Sequence, residues 1–249
     1  MRRRAPVVLA LSLIIFLALF VQAEEENKGK KAEWSGDISV GFSVAKGNTN
    51  TTNLSVSFSA KGKMSKRIEW SNTGFFLLGR VAGQTQAESL GLGSRVNWKY
   101  SERFFSYFEL QGIRDRFKNL EYRILPSIGV GYIIIDREKI SLSANAGIAE
   151  VFTKYLDSGL TQTYTGLTVG NRFAWKISET AELSQQLTVN SDMSDWDHYF
   201  ARFEVNLAAT ISEGWAIKLT FIDNFDNNPV GIGIKKNDLA FLAGLSKKF

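Results

Sequence analysis

One short acidic stretch holds the residue types most able to do chemistry. Its sequence is SDMSDWDHYF, and it places His198, the single histidine of the chain, beside Asp192, Asp195 and Asp197. A histidine next to carboxylates can act as a general base that activates a nucleophile or a water molecule. The stretch is therefore the candidate for a hydrolytic site.

Other chemistry finds little support in the residue pattern. The same acidic stretch, or Asp223 with Asp226, offers carboxylate oxygens to a divalent cation, but the spacing fits no ordered calcium loop. The chain has no cysteine, and it shows no nucleophile elbow, zinc-ligand spacing or cofactor fingerprint. We predict a solvated acidic loop with a water-exposed His198, no metal and no cofactor.

The elements that would position this stretch alternate in polarity. In WSGDISVGFSV, from residue 34, apolar residues and glycine occupy every second place and polar residues or glycine stand between them, as in a β-strand with one apolar face. Segments of this kind number about twelve. They cover roughly residues 34–46, 52–63, 68–81, 88–100, 104–114, 121–134, 140–152, 163–176, 181–191, 199–210, 215–225 and 236–249.

The connections between these segments alternate in length. Tight polar turns (MSKR, SER, DREK, SET and SEG) follow the even-numbered segments. The odd-numbered segments are followed by mostly longer loops (GNTN, AGQTQA, DRFKNL, TKYLDSGLTQ, SDMSDWDH and DNNPVGIGIK). This pattern predicts an up-and-down antiparallel meander with both termini at the short-turn end.

Aromatic residues are concentrated near the two ends of the predicted strands. Tryptophan and tyrosine favour a membrane interface, because each carries an apolar ring and a polar N–H or O–H. A predicted interface girdle beside the short turns comprises Trp34, Trp70, Trp98, Tyr132, Trp175 and Trp215. A looser group at the other end comprises Phe75, Phe76, Tyr122, Phe152, Tyr164, Tyr199 and Phe225. Two girdles around an apolar middle predict an all-β transmembrane barrel of about twelve strands.

Charged residues on the polar face would then line the lumen. The candidates are Lys61, Arg95, Lys99, Glu109, Arg123, Arg172, Arg202, Glu204 and Lys218. Such residues can select solutes in a pore, or they can satisfy one another in a plugged interior. Twelve strands enclose a space between that of a filled eight-stranded barrel and that of an open porin, so both alternatives stay open.

The amino terminus carries an export signal. Arg2, Arg3 and Arg4 precede an apolar run over residues 7–21 and a Val-Gln-Ala junction, which predicts a signal peptide over residues 1–23. A charged leader over residues 24–33 and a barrel over residues 34–249 follow. The formal net charge of +5 falls to about +2 when three arginines leave with the signal, so the charge does not indicate nucleic-acid binding.

The last segment, DLAFLAGLSKKF, ends the chain on Phe249. A terminal phenylalanine on an alternating strand resembles the signal that the outer-membrane assembly machinery reads, although Lys247 occupies a place that is usually apolar. In lipid every strand edge must be paired, so we expect the last strand to bond to the first.

Three blocks of sequence resemble the uncharacterised family called domain of unknown function 481, whose members are often labelled salt-induced outer membrane proteins. They are WSGDISVGFSVAKGNT from residue 34, RDRFKNLEYR followed by GVGY, and DNNPVGIGIKKNDLAFLAGLSKKF at the end. The resemblance spans essentially the whole chain after the signal. It implies an outer-membrane β-barrel and a role under salt stress, with no established activity or functional residue to transfer.

The leading hypothesis is a non-enzymatic barrel in the outer membrane of a Gram-negative bacterium, either a narrow channel or a structural barrel. Its expected partners are outer-membrane lipids, lipopolysaccharide and the assembly machinery. The alternative is a lipid- or peptide-hydrolysing barrel that uses the His198 loop. Against it, Phe200 stands where outer-membrane phospholipases carry serine, and omptin-type proteases have ten strands and need a second aspartate pair. A soluble periplasmic β domain is the third hypothesis.

Overall fold

A computed structural model describes residues 33–46, 51–81, 84–230 and 234–249. The described residues form twelve β-strands and one 3-10 turn, Arg116–Lys118. The strands are β1 Glu33–Lys46, β2 Thr51–Lys63, β3 Ile68–Val81, β4 Gln84–Lys99, β5 Phe104–Asp115, β6 Leu120–Asp136, β7 Ile140–Tyr155, β8 Thr161–Lys176, β9 Ala181–Asp192, β10 Tyr199–Ser212, β11 Trp215–Asp226 and β12 Asn237–Lys248. The predicted signal peptide and almost all of the charged leader lie outside the described residues.

The strands close into a ring. Each strand pairs antiparallel with its neighbours in sequence, and β1 also pairs with β12 from Asp37 opposite Lys248 to Lys46 opposite Leu239. Backbone hydrogen bonds between Gly36 and Phe249 extend this pairing to the last residue. The ring satisfies the backbone groups of both terminal strands, which confirms the predicted fold of an up-and-down transmembrane barrel.

The barrel carries its apolar side chains outside and its polar ones inside. On β1, Ile38 and Val40 are about half exposed while Ser39 between them is buried, and on β4 Leu92 is 55% exposed while Arg95 is 4% exposed. A soluble domain would bury the apolar face, so the hypothesis of a soluble periplasmic domain is wrong. Within the described ranges, no helix is long and apolar enough to span a membrane.

Several strands extend beyond the predicted segments at the long-loop end. The predicted loop AGQTQA belongs mostly to β4, which begins at Gln84, four residues earlier than expected. Its backbone pairs with β3 past a bulge, through Thr85 opposite Arg80 and Gln84 opposite Val81. Strand β7 similarly reaches Tyr155. Outside the apolar belt a strand needs no apolar face, so alternation does not reveal these strand ends.

Two facing glycines make room for an aromatic ring inside the barrel. Gly129 on β6 and Gly147 on β7 are opposite each other, and Tyr107 on β5 lies across both. A Cβ atom on Gly129 would be 2.7 Å from the Tyr107 ring, and one on Gly147 would be 2.6 Å from its hydroxyl. Glycine at these positions therefore lets the Tyr107 ring lie flat against the wall, where it supports the charged groups described next.

Candidate functional site

The barrel lumen is the candidate site. The nine predicted lumen residues all lie on the inner face of the barrel. The strand register shows this, since residues opposite each other on paired strands share a face, and the buried Ser39, Ser89 and Thr153 mark the inner one. Whether they select solutes is a prediction. Their contacts form five groups along the lumen.

The first group is centred on Glu109. Arg95 Nη1 lies 2.9 Å from Glu109 Oε2, and Arg172 Nη2 lies 3.8 Å from Glu109 Oε1. Gln111 Nε2 donates a hydrogen bond of 2.9 Å to Oε1. The Arg95 guanidinium lies 3.7 Å from the centroid of the Tyr107 ring, a cation–π contact. Two guanidinium groups therefore share one carboxylate, and only Arg172 remains substantially exposed, at 35% of its side chain.

A second group joins β11 to β1. Lys218 Nζ lies 3.0 Å from Asp37 Oδ2, and the Ser39 and Ser246 hydroxyls donate to the same oxygen. Asp37 is a lumen residue that was not predicted from the sequence. The signal was present, because Asp37 occupies the polar face of β1, two residues before Ser39.

The third group lies on β10 and its neighbour β11. Arg202 donates to Glu204 Oε2 at 2.6 Å and to Asn224 at 3.1 Å, while Asn206 holds the other oxygen of Glu204 at 3.0 Å. The Arg202 guanidinium also lies 5.5 Å from the ring centroid of Phe75 on β3. Strands β10 and β3 stand five places apart around the ring, so this contact crosses the lumen.

At the short-turn end, Glu69 binds two lysines. Lys99 Nζ lies 2.9 Å from Glu69 Oε1, and Lys61 Nζ lies 3.4 Å from Oε2. Glu69 is a further lumen residue that was not predicted from the sequence. The side chain of Lys61 is 57% exposed, which places this group at the mouth of the barrel.

An ion pair spans the lumen toward the long-loop end. Arg123 Nη2 on β6 lies 3.4 Å from Asp226 Oδ2 on β11, and these strands are five places apart. Arg123 also donates to Thr153 at 3.1 Å and lies 4.5 Å from the Phe200 ring centroid. We call the Arg123–Asp226 pair the lumen bridge. It narrows the passage by connecting opposite walls.

The loop between β5 and β6 adds a cation near the lumen bridge. Lys118 Nζ lies 4.0 Å from Asp238 Oδ2 on β12. Burial lowers the pKa of Lys118 below its ordinary value, against the opposing effect of Asp115 and Asp238. The loop is tied to the β7–β8 loop through Asn119, whose backbone and side-chain oxygens accept hydrogen bonds from the amides of residues 156 and 157.

Residues of four of these groups, all but the one at Glu69, line a cavity of about 280 Å³. Among the described residues, six cationic side chains and two carboxylates line its wall. The cations are Arg95, Lys118, Arg123, Arg172, Arg202 and Lys218, and the carboxylates are Glu109 and Glu204. The lumen is thus partly filled by side chains but holds space beside them.

The His198 loop differs from the prediction. His198 was expected to be exposed to water, but it is buried, with 7% of its surface exposed. Its ring centroid lies 4.9 Å from that of Tyr164, and its Nδ1 atom lies 3.7 Å from Asp192 Oδ2. The prediction was wrong because the loop folds inward onto Tyr164. Among the residues the structure describes, no cluster of three metal-ligating side chains occurs.

Among the described residues, the side-chain contacts of His198 are with Asp192 and Tyr164 and not with a nucleophilic hydroxyl. A general base must lie within hydrogen-bond reach of its nucleophile. The nearby Ser194 hydroxyl instead donates to Asp192 at 2.6 Å.

We expect the native protein and the His198→Ala variant to hydrolyse phospholipid and peptide at the same background rate, measured by release of fatty acid and of a fluorescent peptide fragment. A native rate above background that disappears in the variant would contradict this prediction.

The predicted interface girdle lies on the outer surface beside the short turns. Trp34 and Trp70 have ring centroids 6.0 Å apart, and Lys247 Nζ lies 4.9 Å from the Trp215 ring centroid. The second aromatic group is less uniform than predicted, because Phe75 and Tyr164 point inward. Both lie in register with inward residues, Phe75 with Ser57 and Tyr164 with Val151. The role of the girdle at a membrane interface remains a prediction.

Comparison with known proteins gives a family and a fold. The sequence profile described as "Protein of unknown function, DUF481" matches residues 38–249. No curated protein matches the chain.

Solved barrels share the fold at low identity. The NanC porin is 10% identical, with a TM-score of 0.57 over 85% of this chain and 100% of its own. The translocator domain of the autotransporter NalP from Neisseria meningitidis is 9% identical, with a TM-score of 0.51 over 97% of this chain and 98% of its own. An outer membrane channel from Pseudomonas putida F1 is 9% identical, with a TM-score of 0.51 over 90% and 98%. These likenesses show the fold alone.

Proposed function

The chain belongs to the DUF481 family of proteins of unknown function, and we propose that it is a non-enzymatic, narrow channel in the bacterial outer membrane. The observation that carries this proposal is the charged lumen, which encloses a cavity of about 280 Å³. A barrel whose only role was structural could fill its interior with packed side chains. Here ion pairs leave space between them, and rings of charged side chains are what channels use to select solutes.

The lumen bridge and the cavity together favour a channel that is narrow at rest. Arg123 and Asp226 connect opposite walls above the cavity, while the groups around Glu109 and Glu204 border it. A solute would have to displace or pass between these side chains. We therefore expect small conductance steps compared with those of wide porins.

The outer surface supports the proposed location and partners. Apolar side chains on opposite sides of the ring are exposed, among them Leu92, Val130 and Ile217. Such a belt suits lipid acyl chains, so we propose outer-membrane lipid and lipopolysaccharide as its neighbours. We propose that Phe249, at the end of β12, is read by the assembly machinery. The role under salt stress that the family resemblance implies remains a prediction.

Reconstitution tests the proposal. The protein, purified from the outer-membrane fraction of cells that express it, should produce discrete current steps in a planar lipid bilayer. A lipid bilayer treated with a mock purification is the control. A silent bilayer, with protein shown to be inserted, would contradict the channel and leave a structural barrel. Recovery of the protein only in the soluble fraction would contradict the location.

A further inference from the structure

Apolar side chains enter the lumen where a transmembrane barrel ordinarily has polar ones. Phe75, Leu77 and Ile113 project inward from β3 to β5, and Ile222 and Leu242 project inward from β11 and β12. They line a mostly apolar pocket of about 60 Å³, at whose edge Asp115 and Asp238 also lie. This pocket shares Phe75, Arg202 and Leu242 with the cavity of about 280 Å³. The lumen therefore has an apolar compartment that continues into the charged one.

Among the described residues, the cations of the charged compartment outnumber the carboxylates only around Glu109. Three of its cations have carboxylate partners that do not line the cavity. Lys218 is paired with Asp37 and Arg123 with Asp226, and Lys118 faces both Asp238 and Asp115. Arg202 is paired with Glu204.

The remaining pair of arginines, Arg95 and Arg172, shares Glu109. Arg95 holds that carboxylate at 2.9 Å, so Arg172, at 3.8 Å, has the weaker contact. Two guanidinium groups on one carboxylate leave a local positive charge at Arg172, and such a charge favours an anion.

We propose that the lumen binds a small amphiphilic monoanion, with its anionic group at Arg172 and its apolar body in the compartment formed by Phe75, Ile113 and Leu242. A single negative charge completes the pairing around Glu109. The apolar compartment distinguishes this ligand from an acidic sugar, which would leave Phe75 and Leu242 without an apolar partner. A cavity of about 280 Å³ is near the lower end of the size range of ligand pockets, so the ligand must be small.

This inference deepens the proposed function by naming a solute class, but its test does not depend on ion conduction. Binding of 4-phenylbutyrate is measured by isothermal titration calorimetry with the protein in lipid nanodiscs, and empty nanodiscs provide the blank. The neutral 4-phenylbutyramide keeps the apolar body without the charge. Glucuronate keeps the charge on a polar body. We expect saturable binding of 4-phenylbutyrate and at least about tenfold weaker binding of the other two.

Two variants locate the ligand. Arg172→Gln removes the proposed anion contact, and we expect it to weaken 4-phenylbutyrate binding at least about tenfold. Lys176→Gln is the matched control, because Lys176 is an exposed residue at the short-turn end of β8 and does not line the cavity. Leu242→Asn should weaken 4-phenylbutyrate binding severalfold and leave glucuronate unchanged.

Four results would overturn the inference. They are no saturable binding of 4-phenylbutyrate by the native protein, equal binding of the amide, equal or tighter binding of glucuronate, and equal effects of Arg172→Gln and Lys176→Gln. The first three use the native protein alone, so a variant that fails to fold does not prevent the test. A silent bilayer combined with specific binding would contradict the channel and retain the ligand site.

Discussion

The Glu109→Ala variant is expected to lose about 3–5 kcal/mol of unfolding free energy, because it removes one partner of a buried ion pair. Arg95 is 4% exposed and has its guanidinium 2.9 Å from Glu109. Without the carboxylate, Arg95 keeps its charge in a site that water barely reaches, and Arg172 loses its contact at 3.8 Å. Reversible urea unfolding in lipid vesicles, followed by tryptophan fluorescence, measures the loss.

Two controls separate the buried charge from a general effect of substitution. Glu138→Ala changes an exposed turn carboxylate and should alter the unfolding free energy by less than about 0.5 kcal/mol. The double variant Arg95→Met, Glu109→Leu removes both charges and should recover most of the stability, because apolar groups of similar size replace the pair. If Glu109→Ala unfolds like the native protein, the pair does not hold the lumen wall together.

The second large effect is expected on conduction. Arg123→Gln should raise the single-channel conductance severalfold, because it breaks the lumen bridge and shortens the side chain that crosses between β6 and β11. Arg123 is 5% exposed and contacts Asp226, Thr153 and the Phe200 ring. Its loss therefore widens the passage toward the long loops. Planar-bilayer recording at fixed salt measures the change.

The matched control is the same substitution on the outer surface. Arg114 is on the lipid-facing side of β5, with its side chain 46% exposed and Nη1 3.5 Å from Glu88. Arg114→Gln should leave the conductance unchanged. The double variant Arg123→Gln, Asp226→Asn neutralises both partners of the lumen bridge, so Asp226 is not left charged without Arg123. It replaces the single variant in the test if that variant inserts poorly. An unchanged conductance in both lumen variants would show that the bridge does not limit the passage.

Lipid and water impose opposite demands on the two faces of a strand, and this is why the fold was predictable. Where a strand crosses the acyl chains, one face meets lipid and the other meets the lumen. Apolar and polar residues must therefore alternate there, as they do around Val40 and Leu92. The strand ends were less predictable for the same reason. Gln84 and Tyr155 extend β4 and β7 beyond the apolar belt, where backbone pairing continues without any requirement on polarity.

The lumen was predictable only as a list of inward positions. The alternation of polar and apolar residues placed Arg95, Arg123 and Arg202 on the inner face. It also placed Asp37 there, although Asp37 was overlooked. It could not identify partners such as Arg123 and Asp226, because a contact across the lumen depends on the cross-section of the whole ring. His198 was wrongly predicted for a related reason: its burial comes from a ring on another strand, Tyr164.

The pairing of β1 with β12 has a consequence for how the molecule comes apart. Because every strand is paired on both sides, a strand can separate from the barrel only if the backbone hydrogen bonds to both neighbours break together. In an open sheet, local unfolding of a terminal strand is the opening with the lowest free energy. The closed ring has no such strand. The seam also joins residues almost a full chain length apart, so it forms late and slowly. We expect a high activation barrier to separation of β1 from β12. The folded barrel should therefore last far longer in the membrane than its free energy of unfolding alone would suggest.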